Sequence, residues 1–422
     1  MAVEAEREAH ERLAIDGGTP AKQRSTPAMY PGASFINEEE EQAALAVTRS
    51  RRLFRFYGLG EARSQVAAFE QAFAAEVGVP HALAVNSGTS ALCAALAAAG
   101  VGPGDEVIVP AYTWVATAMA VAMVGGTPVL AEVDLSLTLD PADAERRVSA
   151  RTKAVLPVHM RGTPADLEPL LELCRRRGLT LIEDVAQADG GDYHGRRLGA
   201  WGDMGCFSLQ YTKILTSGEG GVVTTADRRL HERAVIYHDG SSTGGREGFT
   251  EPGFLGMNFR MPELTGAVAL AQLRKLPELL SRMRSAATAI RAGIADIGLT
   301  LRHLPDAAGD CGLCVVFFLP DAARKTAVVR ALRAEHIGCA SMWEPGSRDP
   351  HVYTGWEPLL QRRAHYGAWQ PAAAPDTLVP DACPRSLELL NRAVHVDVHP
   401  LFDEADVEGT IRGIRRVVAA LA

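Results

Sequence analysis

LTLIEDVAQADGGDYHGRRLGAWGDMGCFSLQYTKILTSGEGGVVTT, running from Leu179 to Thr225, dictates the architecture around it. An apolar run from Leu179 to Ile182 ends in the acids Glu183 and Asp184, with Gln187 expected one helical turn further on. A second apolar run, Met204 to Leu209, contains Ser208 and is followed by Lys213 and then by Gly218-Glu219-Gly220-Gly221. Short apolar runs bounded by glycine predict buried strands, and the glycine cluster predicts a tight turn. An acid thus closes one strand, and a lysine follows the next.

Runs of the same kind recur toward the N-terminus at His81–Val85, Glu106–Val109, Pro128–Val133 and Ala154–Val158, with helical segments between them. They are apolar throughout rather than alternating, which predicts an α/β fold: a largely parallel sheet covered on both faces. Ligands of such sheets bind beyond the strands' carboxyl ends, where Asp184 lies. Asn37 before Glu38-Glu39-Glu40, and Ser64 before Val66, Phe69, Phe73 and Val77, predict two helices ahead of the sheet. After Thr225 the pattern turns helical, at 227–237 and 262–273, and a long helix at 277–297 bridges to a second unit. That unit has strands at 313–319 and 339–342 and helices at 322–335, 384–392 and 403–420. The chain therefore divides into a loose N-terminal arm (1–35), a large domain (36–276) and a smaller C-terminal α/β domain (277–422), with the Pro- and Ala-rich patch at 371–380 as a surface loop.

Composition narrows the function. A chain of 422 residues, 47% hydrophobic and 22% charged, suits two ordinary globular domains. A net charge of −8 without a basic block speaks against nucleic acid. The most apolar stretch, Val109 to Leu130, is interrupted by Pro110, Gly125, Gly126 and Pro128, which speaks against a membrane span. The acidic start, MAVEAEREAHERLAIDGG, lacks the regions of an export signal, and an odd set of cysteines suits reduced thiols; a cytoplasmic location is expected. Cys311-Gly-Leu-Cys314 has no second pair or histidine cluster beside it and is expected to be core, so no metal is expected. The lysines are few: Lys22, Lys153, Lys213, Lys275 and Lys325.

Asp184 and Lys213 suit a cofactor with an aldehyde and a basic ring nitrogen, and we expect them to hold pyridoxal 5'-phosphate. Such a group needs a phosphate site. Asn86-Ser87-Gly88-Thr89-Ser90 follows a strand and opens an Ala-rich helix, so its backbone N–H groups favour an anion; Asn86 or Ser87 acting only as a helix cap is the alternative. Trp114, just past the Glu106–Val109 strand, is either a ring that stacks on a flat cofactor or a core residue. His159 is either a pocket residue or a satisfied core histidine. Arg260 either binds a donor carboxylate or braces Glu263, and Arg51, Arg52 and Arg55 face either a nucleotide diphosphate or solvent; the loops 50–60, 238–256 and 343–360 are expected to build the substrate pocket.

Taken in order, these motifs resemble the DegT/DnrJ/EryC1/StrS family of sugar aminotransferases, fold type I pyridoxal-phosphate enzymes. The resemblance runs through Gly17-Gly18-Thr19-Pro20, Asn86-Ser87-Gly88-Thr89-Ser90-Ala91-Leu92 and Gly104-Asp105-Glu106-Val107-Ile108-Val109-Pro110. It continues through Glu183-Asp184-Val185-Ala186-Gln187, Phe207-Ser208, Lys213, the glycine turn and Asn258-Phe259-Arg260-Met261. It implies a mostly parallel seven-stranded sheet flanked by helices, with a smaller C-terminal α/β domain. It also implies that Lys213 is the catalytic lysine joined to the cofactor, that Asp184 pairs with the ring nitrogen and that Gln187 lies near the ring hydroxyl. Thr89, Ser90 and Ser208 would hold the phosphate with Gly88 allowing close approach, and Trp114 would stack on the ring. Asn258 would reach the phosphate of the neighbouring subunit, making a homodimer with shared active sites.

The implied reaction moves an amino group from glutamate or glutamine to a keto-sugar or keto-cyclitol, with pyridoxamine 5'-phosphate as intermediate, in antibiotic or other secondary metabolism. The Gly-Gly-Thr-Pro arm points toward keto-cyclitols. The alternative on the same fold is a pyridoxamine-phosphate-dependent sugar dehydratase. Related dehydratases carry histidine in place of the lysine, and this chain keeps Lys213.

Overall fold

The computed structural model describes residues 12–56, 64–240, 248–364, 367–368 and 378–421. The first eleven residues, the end of the 50–60 turn, the middle of the 238–256 loop and most of the 371–380 patch lie outside the described residues. A seven-stranded sheet is built from β1 (His81–Val85), β2 (Glu106–Pro110), β3 (Thr127–Ala131), β4 (Thr152–Val155), β5 (Thr180–Asp184), β6 (Met204–Ser208) and β7 (Gly221–Thr225). Their order is β1-β7-β6-β5-β4-β2-β3, and every strand is parallel to the rest except β7, which runs antiparallel to both neighbours.

The helices are α1 (Glu38–Ser50), α2 (Gln65–Val77), α3 (Gly88–Ala98), α4 (Ala116–Met123), α5 (Pro141–Arg146) and α6 (Leu167–Arg177), then α7 (Arg228–His238), α8 (Glu263–Leu273), α9 (Leu276–Gly293), α10 (Ala322–Ala334), α11 (Pro384–Arg392) and α12 (Glu404–Leu421). Successive strand residues point to opposite faces, and the two faces carry separate cores. Leu83, Val85, Val107 and Val109 pack with residues of α3, α4 and α7; Ala84, Ile108, Val129 and Val155 pack with residues of α2, α6 and α9. Burial on both faces explains why these strands read as unbroken apolar runs. The two capped helices form as expected: Asn37 and Glu40 make a reciprocal capping box at α1, and Ser64 Oγ accepts from the N–H of Ala67 at 3.1 Å at α2.

The C-terminal part holds a second sheet of β8 (Thr300–Leu301), β9 (Cys314–Phe318), β10 (Cys339–Ser341) and β11 (Ala393–Asp397), in the order β8-β9-β11-β10 with antiparallel neighbours throughout. Sequence reading recovered β9 and β10 but not β11, which lies between them. Val315, Phe317, Val394 and Val396 pack under α9, α10 and α12, whereas Cys314, Val316, Phe318 and Ala393 join the core of the large sheet. Cys311 and Cys314, three residues apart, enter different cores and both are buried thiols.

The arm is not loose over its described residues. Buried Glu335 accepts from the N–H groups of Ala14 at 2.9 Å and Ala21 at 2.8 Å and pairs with Arg416. Lys22 is buried over the Phe402 ring and 3.5 Å from Asp406. The arm then crosses to the large sheet, where the Gly32 N–H donates to the Lys213 carbonyl at 3.1 Å. Glycine and proline did break regular structure there, but long-range hydrogen bonds took its place.

Candidate active site

The carboxyl ends of β1, β2, β4, β5 and β6 open into a cleft of about 510 Å³. Gly88, Thr89, Trp114, Asp184, Gln187, Ser208 and Lys213 all line it, residues drawn from five separate stretches of chain. A larger hollow of about 700 Å³ opens elsewhere, near Leu135, Phe318 and Val418, but it holds two arginines and no acid or lysine. The chemistry lies in the smaller cleft.

Asp184 ends β5 and is only 4% exposed. Thr117 Oγ1 donates to its Oδ2 at 2.8 Å, and the Ala186 N–H donates to its Oδ1 at 3.1 Å. Thr117 is held in turn by Thr113, their hydroxyls 2.8 Å apart. Hydrogen bonds to a charged group contribute about 1.5–3 kcal/mol, so these two donors orient the carboxylate without fully offsetting its burial. Burial raises its pKa, opposed by Thr117, Ala186 and the charge of Lys213.

Lys213 sits on the turn between β6 and β7, its N–H donating to the Gln210 carbonyl at 2.9 Å and its own carbonyl taken by Gly32. Burial is the largest influence on the amine and holds it below the usual lysine range, against Asp189 and Asp184. Asp189 is a second buried acid, 1% exposed, with neither carboxylate oxygen hydrogen-bonded; burial pushes it up to about 8, opposed chiefly by Lys213.

At α3 the cap is Ser87, whose Oγ accepts from the Ser90 N–H at 3.1 Å, leaving the N–H groups of Gly88 and Thr89 as the open end of the helix. A Cβ at Gly88 would lie 2.7 Å from Ser208 Cβ, so only glycine lets the helix start this close to β6. The Gly218 turn has φ of +85°, as expected of its composition, and a Cβ on Gly221 would meet the Ser87 carbonyl at 2.3 Å. The glycine cluster therefore brings β7 under the Ser87 turn. Trp114 precedes α4 and stays 45% exposed, one ring edge against His351 at 4.9 Å and 66°.

Other expected positions are occupied differently. Gln187 lies in a turn, not a helix, and its Oε1 accepts from the Arg161 N–H at 3.2 Å. Ser90 is buried outside the cleft lining and its hydroxyl donates to Asn86 Oδ1 at 2.7 Å. Asn258 is exposed and lies outside the cleft of its own chain. His159 is a satisfied core histidine: Nδ1 accepts from the Ala165 N–H at 3.0 Å and Nε2 meets Glu183 Oε2 at 3.1 Å. Arg260 pairs with Asp239 at 2.5 Å and lies over Phe54 rather than bracing Glu263. Arg55 is held by both oxygens of Glu70.

Sequence reasoning missed Thr113, Thr117, Asp189 and His351. Thr117 had a signal, one helical turn beyond Trp114. His351 comes from the 343–360 loop, which was expected to line the pocket, but nothing in the sequence singled out this histidine within it.

The DegT/DnrJ/EryC1/StrS aminotransferase family model matches residues 35–365. The chain belongs to that family. A relative named L-glutamine:2-deoxy-scyllo-inosose aminotransferase, from Streptoalloteichus tenebrarius, is 40% identical over 68% of this chain and 69% of its own length. GDP-perosamine synthase of Caulobacter vibrioides is 45% identical, over 50% of this chain and 57% of that protein, so this chain aligns with little more than half of that relative. Among solved structures, 3-amino-5-hydroxybenzoic acid synthase superposes with a TM-score of 0.78 at 28% identity, covering 94% of this chain and all of that one. An aminotransferase from Psychrobacter cryohalolentis gives 0.77 at 26% identity, over 94% and 99% of the two chains. This DegT-family chain is thus an aminotransferase with the fold type I architecture. Among its described residues no helix is long and apolar enough to cross a membrane.

Proposed function

We propose that the protein binds pyridoxal 5'-phosphate in the cleft and moves the amino group of glutamine or glutamate to the carbonyl carbon of a keto-cyclitol or keto-sugar. The observation that carries this is the meeting of Lys213 with the buried carboxylate of Asp184 in one cleft, beside the open N-terminus of α3. The names of the relatives favour glutamine as donor and a cyclitol as acceptor. The role we infer lies in aminocyclitol antibiotic biosynthesis, in the cytoplasm.

The cleft residues suit the cofactor: a buried acid whose burial outweighs its hydrogen-bond donors and the charge of Lys213, an anion site where a Cβ would collide, and a half-exposed indole. When bound, the group supplies an electron sink for the pair left as the donor's Cα–H bond breaks. Asp184 would keep a proton on the ring nitrogen, since a cation beside a buried carboxylate favours its charged form. Thr117 and the Ala186 N–H aim that carboxylate. The N–H groups of Gly88 and Thr89, with the Ser208 hydroxyl, hold the phosphate, and Trp114 covers the ring. Gln187, whose Oε1 accepts from the Arg161 N–H, would offer its amide NH₂ to the ring hydroxyl. Lys213 Nζ would take the proton from the donor Cα and deliver it to the carbon on the far side of the donor nitrogen, an acid–base step worth roughly 10²–10⁴-fold. Burial suits it to this work by lowering its pKa, which favours the neutral amine.

The site is completed by a second copy of the chain. Asn258 is exposed outside its own cleft, and the same segment exposes Leu255 (92%) and Met257 (54%), as an unpaired interface would. We further propose the division into a body of 36–276 and a C-terminal domain of 277–422. The decisive experiment is the Lys213→Ala variant. The wild-type protein loaded with pyridoxal phosphate is expected to show a visible band that glutamine bleaches. The variant is expected to lose that band and the transfer of nitrogen to 2-deoxy-scyllo-inosose. A variant that kept both would overturn the assignment.

A further inference from the structure

We propose that His351 reads the hydroxyl pattern of the acceptor, its Nε2 taking a hydrogen bond from a hydroxyl of the polyol ketone during the second half-reaction. This rests on the aminotransferase function proposed above and adds a specificity-determining residue to it. The loop that carries His351 is fastened along the turn of Trp114. The Thr113 N–H donates to the His351 carbonyl at 2.9 Å, the Val115 N–H to the Pro350 carbonyl at 2.9 Å, and the Tyr353 N–H to the Ala111 carbonyl at 3.1 Å. The main chain thus does the structural work and leaves the ring for the cleft, whose wall it forms together with Lys213 and Gln187.

The ring is oriented by Asp349. A single carboxylate oxygen, Oδ1, lies 2.8 Å from the His351 N–H and 2.9 Å from Nδ1. A carboxylate only accepts, so Nδ1 carries the ring hydrogen and Nε2 presents a lone pair. Burial, against Asp349 and assisted by the positive charges of Arg161 and Lys213, keeps the ring neutral below the usual histidine range. Asp349 stays below the usual carboxylate range through its bonds with His351, although burial opposes this. A neutral ring with a fixed lone pair can accept from a hydroxyl but repels a carboxylate. His351 is therefore suited to a hydroxyl of the polyol acceptor and not to the carboxylate of the amino-acid donor. Its lever arm is short and rigid, which is what selective contacts need.

Single-turnover kinetics separate the two half-reactions, with glutamine as donor and either 2-deoxy-scyllo-inosose or cyclohexanone, a ketone without hydroxyls, as acceptor probes. Wild type is expected to prefer the inosose. His351→Phe keeps a ring edge for Trp114 but removes Nε2. It is expected to leave the glutamine half-reaction within about twofold and to lower the inosose half-reaction about 10–100-fold, with cyclohexanone unchanged. Asp349→Asn still accepts from Nδ1–H and is expected to keep most of the preference, whereas Asp349→Ala releases the tautomer and loses it. A wild type indifferent to the two ketones, equal losses in both half-reactions, or an unchanged preference in His351→Phe would each overturn the inference. A wild type that never reacts with glutamine would instead overturn the aminotransferase function itself.

Discussion

Asp189 shows how much one buried side chain can impose on the protein. Neither of its oxygens has a hydrogen-bond partner, and burial pushes its pKa up to about 8. In the unfolded chain the same carboxyl titrates near 4. The folded state therefore binds the extra proton between these values, so the contribution to stability is intact below about pH 4 and is lost as pH rises toward 8. Asp189→Asn does not titrate. Its stability relative to wild type, from urea unfolding, is expected to grow between pH 5 and pH 8 by at most about 1.4 kcal/mol per pH unit. A flat difference would mean that Asp189 is ionised and paired with Lys213. Asp189 was legible as a letter close to Asp184, but the burial that raises its pKa is a property of the packed chain.

Among the elements, the start of α3 is the most sharply specified. Ser87 caps the helix, Gly221 lets β7 pass beneath the Ser87 carbonyl, and Gly88 lets the helix begin against Ser208. Gly88→Ala puts a methyl 2.7 Å from Ser208 Cβ, and overpacking of this kind costs about 1–3 kcal/mol. Because Ser208 must move, the anion site moves with it. The variant is expected to bind pyridoxal phosphate at least about tenfold more weakly, a loss of about 1.4 kcal/mol, measured by fluorescence titration of cofactor-free protein. Unchanged affinity would remove α3 from the phosphate site. The loop 343–356 and the arm near Gly32 act in the same way from farther off, since each fastens a turn that carries a cleft residue.

On the scale of the molecule, the cleft of one chain holds Lys213 but not Asn258. If two copies share each site, Lys213→Ala and Asn258→Ala proteins complement each other. A mixed dimer has one site with an intact lysine from one chain and an intact asparagine from the other. Unfolding and refolding the two inactive variants together is expected to restore about a quarter of wild-type activity, the share of intact sites from random pairing. No recovery would place Asn258 outside the neighbour's site. The same whole-chain view explains the two-sided small sheet. One face closes its own core and the other completes the core above the large sheet, which is how a C-terminal loop comes to wall the cleft.

The large sheet, its parallel character, the capped helices and the pairing of Asp184 with Lys213 could all be read from the chain. Each follows from local pattern: unbroken apolar runs, capping residues, and polar groups at the ends of strands. β11 escaped because its partners, β9 and β10, are distant in sequence and its pattern is short. The anchored arm, the occupied Arg55 and Arg260, and the buried His159 escaped for a related reason. Whether an arginine or a histidine is free depends on which acid or amide the fold brings to it. His351 is the clearest case, since its tautomer depends on Asp349 nearby, but its place in the cleft depends on Trp114, more than two hundred positions earlier in the chain. Local pattern therefore determined the strands and the chemistry at their ends, whereas only tertiary packing decided which side chains meet that chemistry and in what protonation state. Contacts across such distances are not encoded in any one stretch of chain.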